Sequence, residues 1–216
     1  MNKSLKKILN DSSVIFWDFD GVIKDSVAIK ASAFQMLFSK YGKRVADLIE
    51  THHIENGGLS RFEKIPLYLS WSGERVTKEN IEKYCHKFSL LVKRSTIESP
   101  WVPGVQKYLE LNYNKKKFIL VTATPRDEIE DVLKELSIQN YFMAVYGSPI
   151  LKINAIRDSI NRFKIEEENV IMIGDSLIDY EAAVKNNILF ALRRTEHNLS
   201  LQKRLICFKF KDFNDE

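Results

Sequence analysis

Asp18 and Asp20 stand one residue apart at the end of the run Val14-Ile15-Phe16-Trp17-Asp18-Phe19-Asp20-Gly21, and a buried strand has no structural use for them. Residues i and i+2 of an extended strand face the same side, so both carboxylates enter one small volume. Their repulsion is costly unless a cation or a chemical role compensates it. Gly21, without a Cβ, lets the backbone turn away sharply. Taken alone, Asp-x-Asp-Gly also suits a calcium loop or an ordinary turn. Two further apolar runs end in polar residues. Phe118 to Val121 leads into Thr122-Ala123-Thr124, and Val170 to Ile173 leads into Gly174-Asp175-Ser176, with Asp179 four residues beyond Asp175. That spacing sets Asp175 and Asp179 on one face of a helix start, where the macrodipole also favours an acid.

The elements that must position these residues follow from periodicity. The three apolar runs have the character of buried parallel strands, with weaker candidates at Met143 to Tyr146, Ile188 to Ala191 and Leu205 to Phe210. Helical patterns lie between them at Val105 to Leu111, Arg126 to Leu136 and Ile153 to Phe163. Alternating strands and helices predict an α/β fold, a Rossmann-like parallel sheet with right-handed crossovers. The carboxyl ends of its strands would gather Asp18, Asp20, Thr122 and Asp175 along one edge. Residues 27–99 break the alternation with consecutive amphipathic helices, so the chain divides into a core of 1–26 and 100–216 and an inserted all-helical cap of 27–99. Pro100 and Pro103-Gly104 mark the return.

Composition narrows the classes. The 216 residues are 44% hydrophobic, ample for a core, and 33 basic against 29 acidic residues give a formal charge of +4. The basic cluster Lys115-Lys116-Lys117 precedes a strand and reads as a solvated loop, so no nucleic-acid partner is expected. Cys85 and Cys207 lack metal-ligand spacing and read as free thiols of a reducing compartment. No signal peptide or membrane span is visible, and a cytoplasmic location without a membrane partner is expected.

Four segments together carry a resemblance: Asp18-Phe19-Asp20-Gly21, Thr122, Lys152 after Gly147-Ser148-Pro149-Ile150-Leu151, and Gly174-Asp175-Ser176-Leu177-Ile178-Asp179. In order and context they resemble the four motifs of the haloacid dehalogenase superfamily. The helical insertion is similar to the cap of its phosphatase and β-phosphoglucomutase-like branch. The resemblance implies a phosphoric monoester hydrolase acting through an aspartyl-phosphate. Asp18 would be the nucleophile and Asp20 the general acid and base, and Thr122, the backbone N–H of Ala123 and Lys152 would bind the phosphoryl group. It also implies Mg²⁺, held by the Asp18 carboxylate, the Asp20 backbone carbonyl and Asp175, with Asp179 supporting either the metal or Lys152.

Arg61 sits where the branch's Gly-x-Ser-Arg presents an arginine to substrate, and it reads equally as a surface charge. His52 and His53 read as packing or solvated residues; His53, Asn56 and Lys64 are weaker substrate-contact candidates. Ser60 with Glu63 forms a capping box without any functional role. The expected partner is a small phosphorylated metabolite, a sugar phosphate or a phosphorylated short acid. A sugar phosphomutase and a non-catalytic phosphometabolite-binding module are the alternatives. Asp175-Ser176 departs from the Glu-Asp that the mutases tend to carry, and no acid is eroded as a silent module would allow. Oligomeric state stays open.

Overall fold

The computed structural model describes residues 4–214. Six parallel strands form one sheet in the order β3-β2-β1-β4-β5-β6: β1 Val14–Trp17, β2 Lys117–Pro125, β3 Ala144–Ser148, β4 Val170–Gly174, β5 Leu189–Arg193 and β6 Phe208–Phe210. β1 lies at the centre, with Phe16 level with Ile119 on one side and Met172 on the other. Side-chain alternation gives the inner strands two buried faces. Ile15, Trp17, Phe118, Leu120, Ile171 and Ile173 pack on one side with helices α1 (Leu5–Asp11), α6 (Val105–Asn112) and α7 (Arg126–Glu135). Val14, Phe16, Ile119, Val121, Val170 and Met172 pack on the other with α8 (Lys152–Phe163) and α9 (Leu177–Lys185).

Between β1 and α6 the chain runs through α2 (Val27–Phe38), α3 (Lys43–Glu55), α4 (Arg61–Trp71) and α5 (Lys78–Glu98). These helices bury their own core of Phe34, Phe38, Ile49, Ile65, Tyr68 and Phe88. The connections out and back lie side by side, since Asp25 N–H donates to the Pro100 carbonyl at 2.8 Å and Val102 N–H to that of Ile23 at 3.0 Å. The cap thus joins the core by two adjoining strands of chain.

Strand ends shift by a few residues from expectation, and two differences change an element. The strand predicted over Leu205 to Phe210 is shortened to Phe208–Phe210, because a short helix, α10 (Leu199–Arg204), precedes it. The N-terminal lysine-containing segment forms α1, whose N-cap Ser4 accepts from Lys7 N–H at 3.3 Å and which buries Leu5, Ile8 and Leu9.

Candidate active site

β1 is still paired with β4 where Asp18 appears, its N–H donating to the Ile173 carbonyl at 3.0 Å. The carboxylate is buried, and one oxygen lies 2.8 Å from Lys152 Nζ. Lys152 begins α8 and also reaches Asp179, at 2.7 Å. Asp179 is fully buried at the start of α9 and completes a reciprocal capping box. It accepts from the Ser176 N–H at 3.2 Å and hydroxyl at 2.6 Å, while its own N–H donates to Ser176 Oγ at 3.3 Å. Of the two groups it was expected to support, Asp179 contacts Lys152 directly. A cation at a helix N-terminus opposes the dipole; the two flanking carboxylates outweigh that here.

Asp18, Asp175 and Asp179 each place an oxygen within 4.8 Å of the others. Burial first, then Asp179, pushes the Asp18 carboxyl up to about 7 in spite of Lys152. Burial, Asp18 and Asp179 likewise hold Asp175 well above the ordinary carboxylate range. Burial would depress Lys152, but Asp179 and Asp18 raise it above the usual lysine value. When ionised, the three acids outnumber the one ammonium, which adds to burial in disfavouring the charged forms of Asp18 and Asp175 without a further cation. An oxygen-only donor set with such an excess fits a hard divalent cation. Asp18 and Asp175 would hold it, since both Asp179 oxygens are committed to Lys152 and Ser176.

Asp20 points elsewhere. Its oxygens accept from Ser26 Oγ at 2.5 Å, Lys30 Nζ at 2.6 Å and Thr124 Oγ1 at 3.2 Å, and Lys30 also donates to Thr124 at 2.9 Å. Burial opposes ionisation, yet the Lys30 ammonium and these hydrogen bonds hold the carboxyl below its ordinary value. Ser26, Lys30 and Thr124 were missed in the sequence. The available signal was Lys30 itself, a cation on a helix face otherwise built of Ala31, Ala33 and Phe34.

Thr122 is buried, and its Oγ1 accepts from the Thr124 N–H at 3.2 Å, which leaves its hydroxyl proton free to donate. It lines a cavity of about 410 Å³ together with Asp18, Asp20, Ala123, Lys152 and Asp175. The fold requires Gly21 here: its φ is +73° and an added Cβ would stand 2.1 Å from Asp175 Oδ2. Gly58 closes the cavity from the cap, with φ +87° and room for a Cβ only 2.5 Å from Ser176 Oγ.

Arg61 also borders the cavity, but its guanidinium is held in a two-pronged pair with Glu128 of α7, at 2.8 and 2.6 Å, and bonds Ser89 of α5. The side chain is buried, so the surface-charge expectation is corrected, and the fork expected for a substrate anion is filled by a protein carboxylate. His53 and Lys64 face the same cavity, as does Asn56. His52 packs against Tyr68 and Trp71.

The family described as haloacid dehalogenase-like hydrolase matches residues 14–192. A phosphorylated carbohydrates phosphatase of Thermotoga maritima is 28% identical over 78% of this chain and 79% of its own length. A phosphoglycolate phosphatase of Colwellia psychrerythraea is 24% identical over 83% of each. Among solved structures, one described as a putative phosphoglycolate phosphatase from Lactobacillus plantarum superposes with a TM-score of 0.75 at 14% identity, over 94% of this chain and 96% of that one. With the family match extending from β1 through β5, the chain belongs to the haloacid dehalogenase-like hydrolases.

Proposed function

We propose that this protein hydrolyses a small phosphate monoester, with Mg²⁺, through an aspartyl-phosphate on Asp18. The buried Asp18–Lys152–Asp179 chain beside Asp175 is the observation that carries this reading. The named activities of the two curated relatives support it. When bound, the cation would neutralise the Asp18 and Asp175 carboxylates and the phosphate oxygens, so that anion can approach anion. Residues 27–99 would act as the cap and 1–26 with 100–216 as the catalytic core.

An Asp18 oxygen attacks phosphorus and the ester P–O bond breaks. Lys152 and the Thr122 hydroxyl, with the Ala123 N–H, offset the charge on the equatorial oxygens. Asp20, carrying a proton brought in with the phosphate ester, gives it to the departing alkoxide. As carboxylate it then takes a proton from the water that attacks phosphorus, releasing phosphate and restoring Asp18. The Lys30 contact favours the carboxylate, the form the second half requires.

A cavity of about 410 Å³ beneath the helical insertion favours a small metabolite over a macromolecular substrate, and no helix among the described residues is long and apolar enough to cross a membrane. We place the protein in the cytoplasm on the reading of its two free cysteines. Purified protein assayed with Mg²⁺ against a panel of phosphorylated metabolites should release inorganic phosphate stoichiometrically. Isomerised sugar phosphate with little free phosphate would establish the mutase instead.

A further inference from the structure

Lys64 is a buried cation of the cavity that this mechanism does not use. It stands one turn after Arg61 on α4, is 2% exposed, and lines the cavity that holds Asp18 and Asp175. Its ammonium bonds His53 Nδ1 at 3.1 Å and the His53 carbonyl at 3.5 Å, and among the described residues no carboxylate forms an ion pair with it. The other cation near it is Lys30, which Asp20 already neutralises. Burial, followed by repulsion from Lys30, pulls the Lys64 amine down to about 7, and burial, then Lys64, keeps His53 well below the usual histidine value. His53 is thereby a neutral partner that orients the amine without cancelling its charge. Glu63, Asp20 and Asp175 pull in the opposite direction, but from beyond contact.

An unneutralised cation in a closed site is costly unless a ligand brings the counter-charge. The transferring phosphate is met from the core by Lys152 and Thr122, whereas Lys64 faces the cavity from the cap. Arg61, the residue whose position suggested an anchor, is consumed by Glu128 and Ser89.

We infer that Lys64, oriented by His53, binds a second anionic group on the substrate, so that the preferred ester carries a carboxylate or a second phosphate on its tail. The inference rests on the phosphatase reading and names the substrate class for that same site. Lys64 is then a specificity-determining residue whose contribution appears in KM more than in kcat.

The test compares matched phosphate esters whose tails end in a carboxylate, a phosphate, or the corresponding neutral amide or hydroxyl. Wild-type protein should favour an anionic tail over its neutral match by about 10- to 100-fold in kcat/KM, the scale of one charge-assisted hydrogen bond, and whichever anion is favoured identifies the source. Lys64→Met, which keeps the chain length but not the charge, should bring that ratio close to one. Lys64→Arg should retain part of it. If Lys64→Met is not recovered folded, the wild-type ratio together with His53→Gln, which should weaken the preference by raising KM for the anionic tail, decides. Equal use of both tails by wild-type protein would overturn this inference while leaving the phosphatase intact, as would an unchanged ratio in folded Lys64→Met. No phosphate release from any ester would overturn the phosphatase reading and this inference with it.

Discussion

Asp18 and Asp20 stand two positions apart in the chain and face different surroundings, and that contrast underlies the roles proposed for them. Asp18 is paired with Lys152 among other acids, while Asp20 is gripped by Ser26, Lys30 and Thr124. Asp20→Asn should therefore lower kcat by about 10²–10⁴-fold on an alkyl phosphate, the usual worth of general acid–base catalysis, while KM changes little; a loss below tenfold would remove it from that role. Lys30 sets when Asp20 is ionised. In wild-type protein its depressed pKa keeps the carboxylate present through neutral pH, to be lost only as the pH falls through that low value. Replacing Lys30 with Met removes the main lowering cause, so the acid limb of aspartyl-phosphate hydrolysis should move to higher pH. A rapid-quench pH profile reads this directly, and an unmoved limb would mean that Lys30 does not govern Asp20. The acids themselves were legible from one segment, because two carboxylates at the end of an apolar strand have no packing purpose. Their partners were not. A lysine in the first turn of a helix as apolar as α2 signals that something pairs with it, but not which acid, here one ten residues earlier.

At the scale of elements, β1, β2 and β4 were visible as apolar runs because both faces of a central parallel strand are buried. β6, with only three residues at the sheet edge, was not, since half-exposed edge strands carry a weaker pattern. Contacts between elements distant in sequence lie further beyond reach. The Arg61–Glu128 pair ties α4 of the cap to α7 of the core with side chains 3% and 9% exposed. Arg61→Met should leave the Glu128 charge buried without its partner and cost about 3–5 kcal/mol in chemical denaturation. Adding Glu128→Met should recover most of that loss, because removing both charges of a buried pair is often neutral. The Lys93–Asp131 pair joins α5 to α7 in solvent, and Lys93→Ala should cost no more than about 1 kcal/mol. A double variant no more stable than Arg61→Met would show that the pair is not the contact that matters.

For the whole molecule, the sheet gathers at one edge residues that the chain separates, and the cap supplies Lys30, Lys64 and Gly58 from above. The order of motifs and the helical insertion were readable in advance. How the cap sits was not, because that depends on Gly58 meeting Ser176 and on two adjoining connections of a few residues each. On the proposed mechanism the core holds the reacting phosphoryl group under the cap, and the phosphoryl group rests on Asp18 until Asp20 activates one water. That covalent stage is the central claim. It is tested by mixing Asp20→Asn protein with Mg²⁺ and p-nitrophenyl phosphate, whose leaving group needs no proton from the enzyme. The account predicts a burst of one equivalent of p-nitrophenolate per site, then a stall, with mass spectrometry finding one phosphoryl group on the peptide that contains Asp18. Steady turnover at the wild-type rate without a burst, or a phosphoryl group on any other residue, would contradict it.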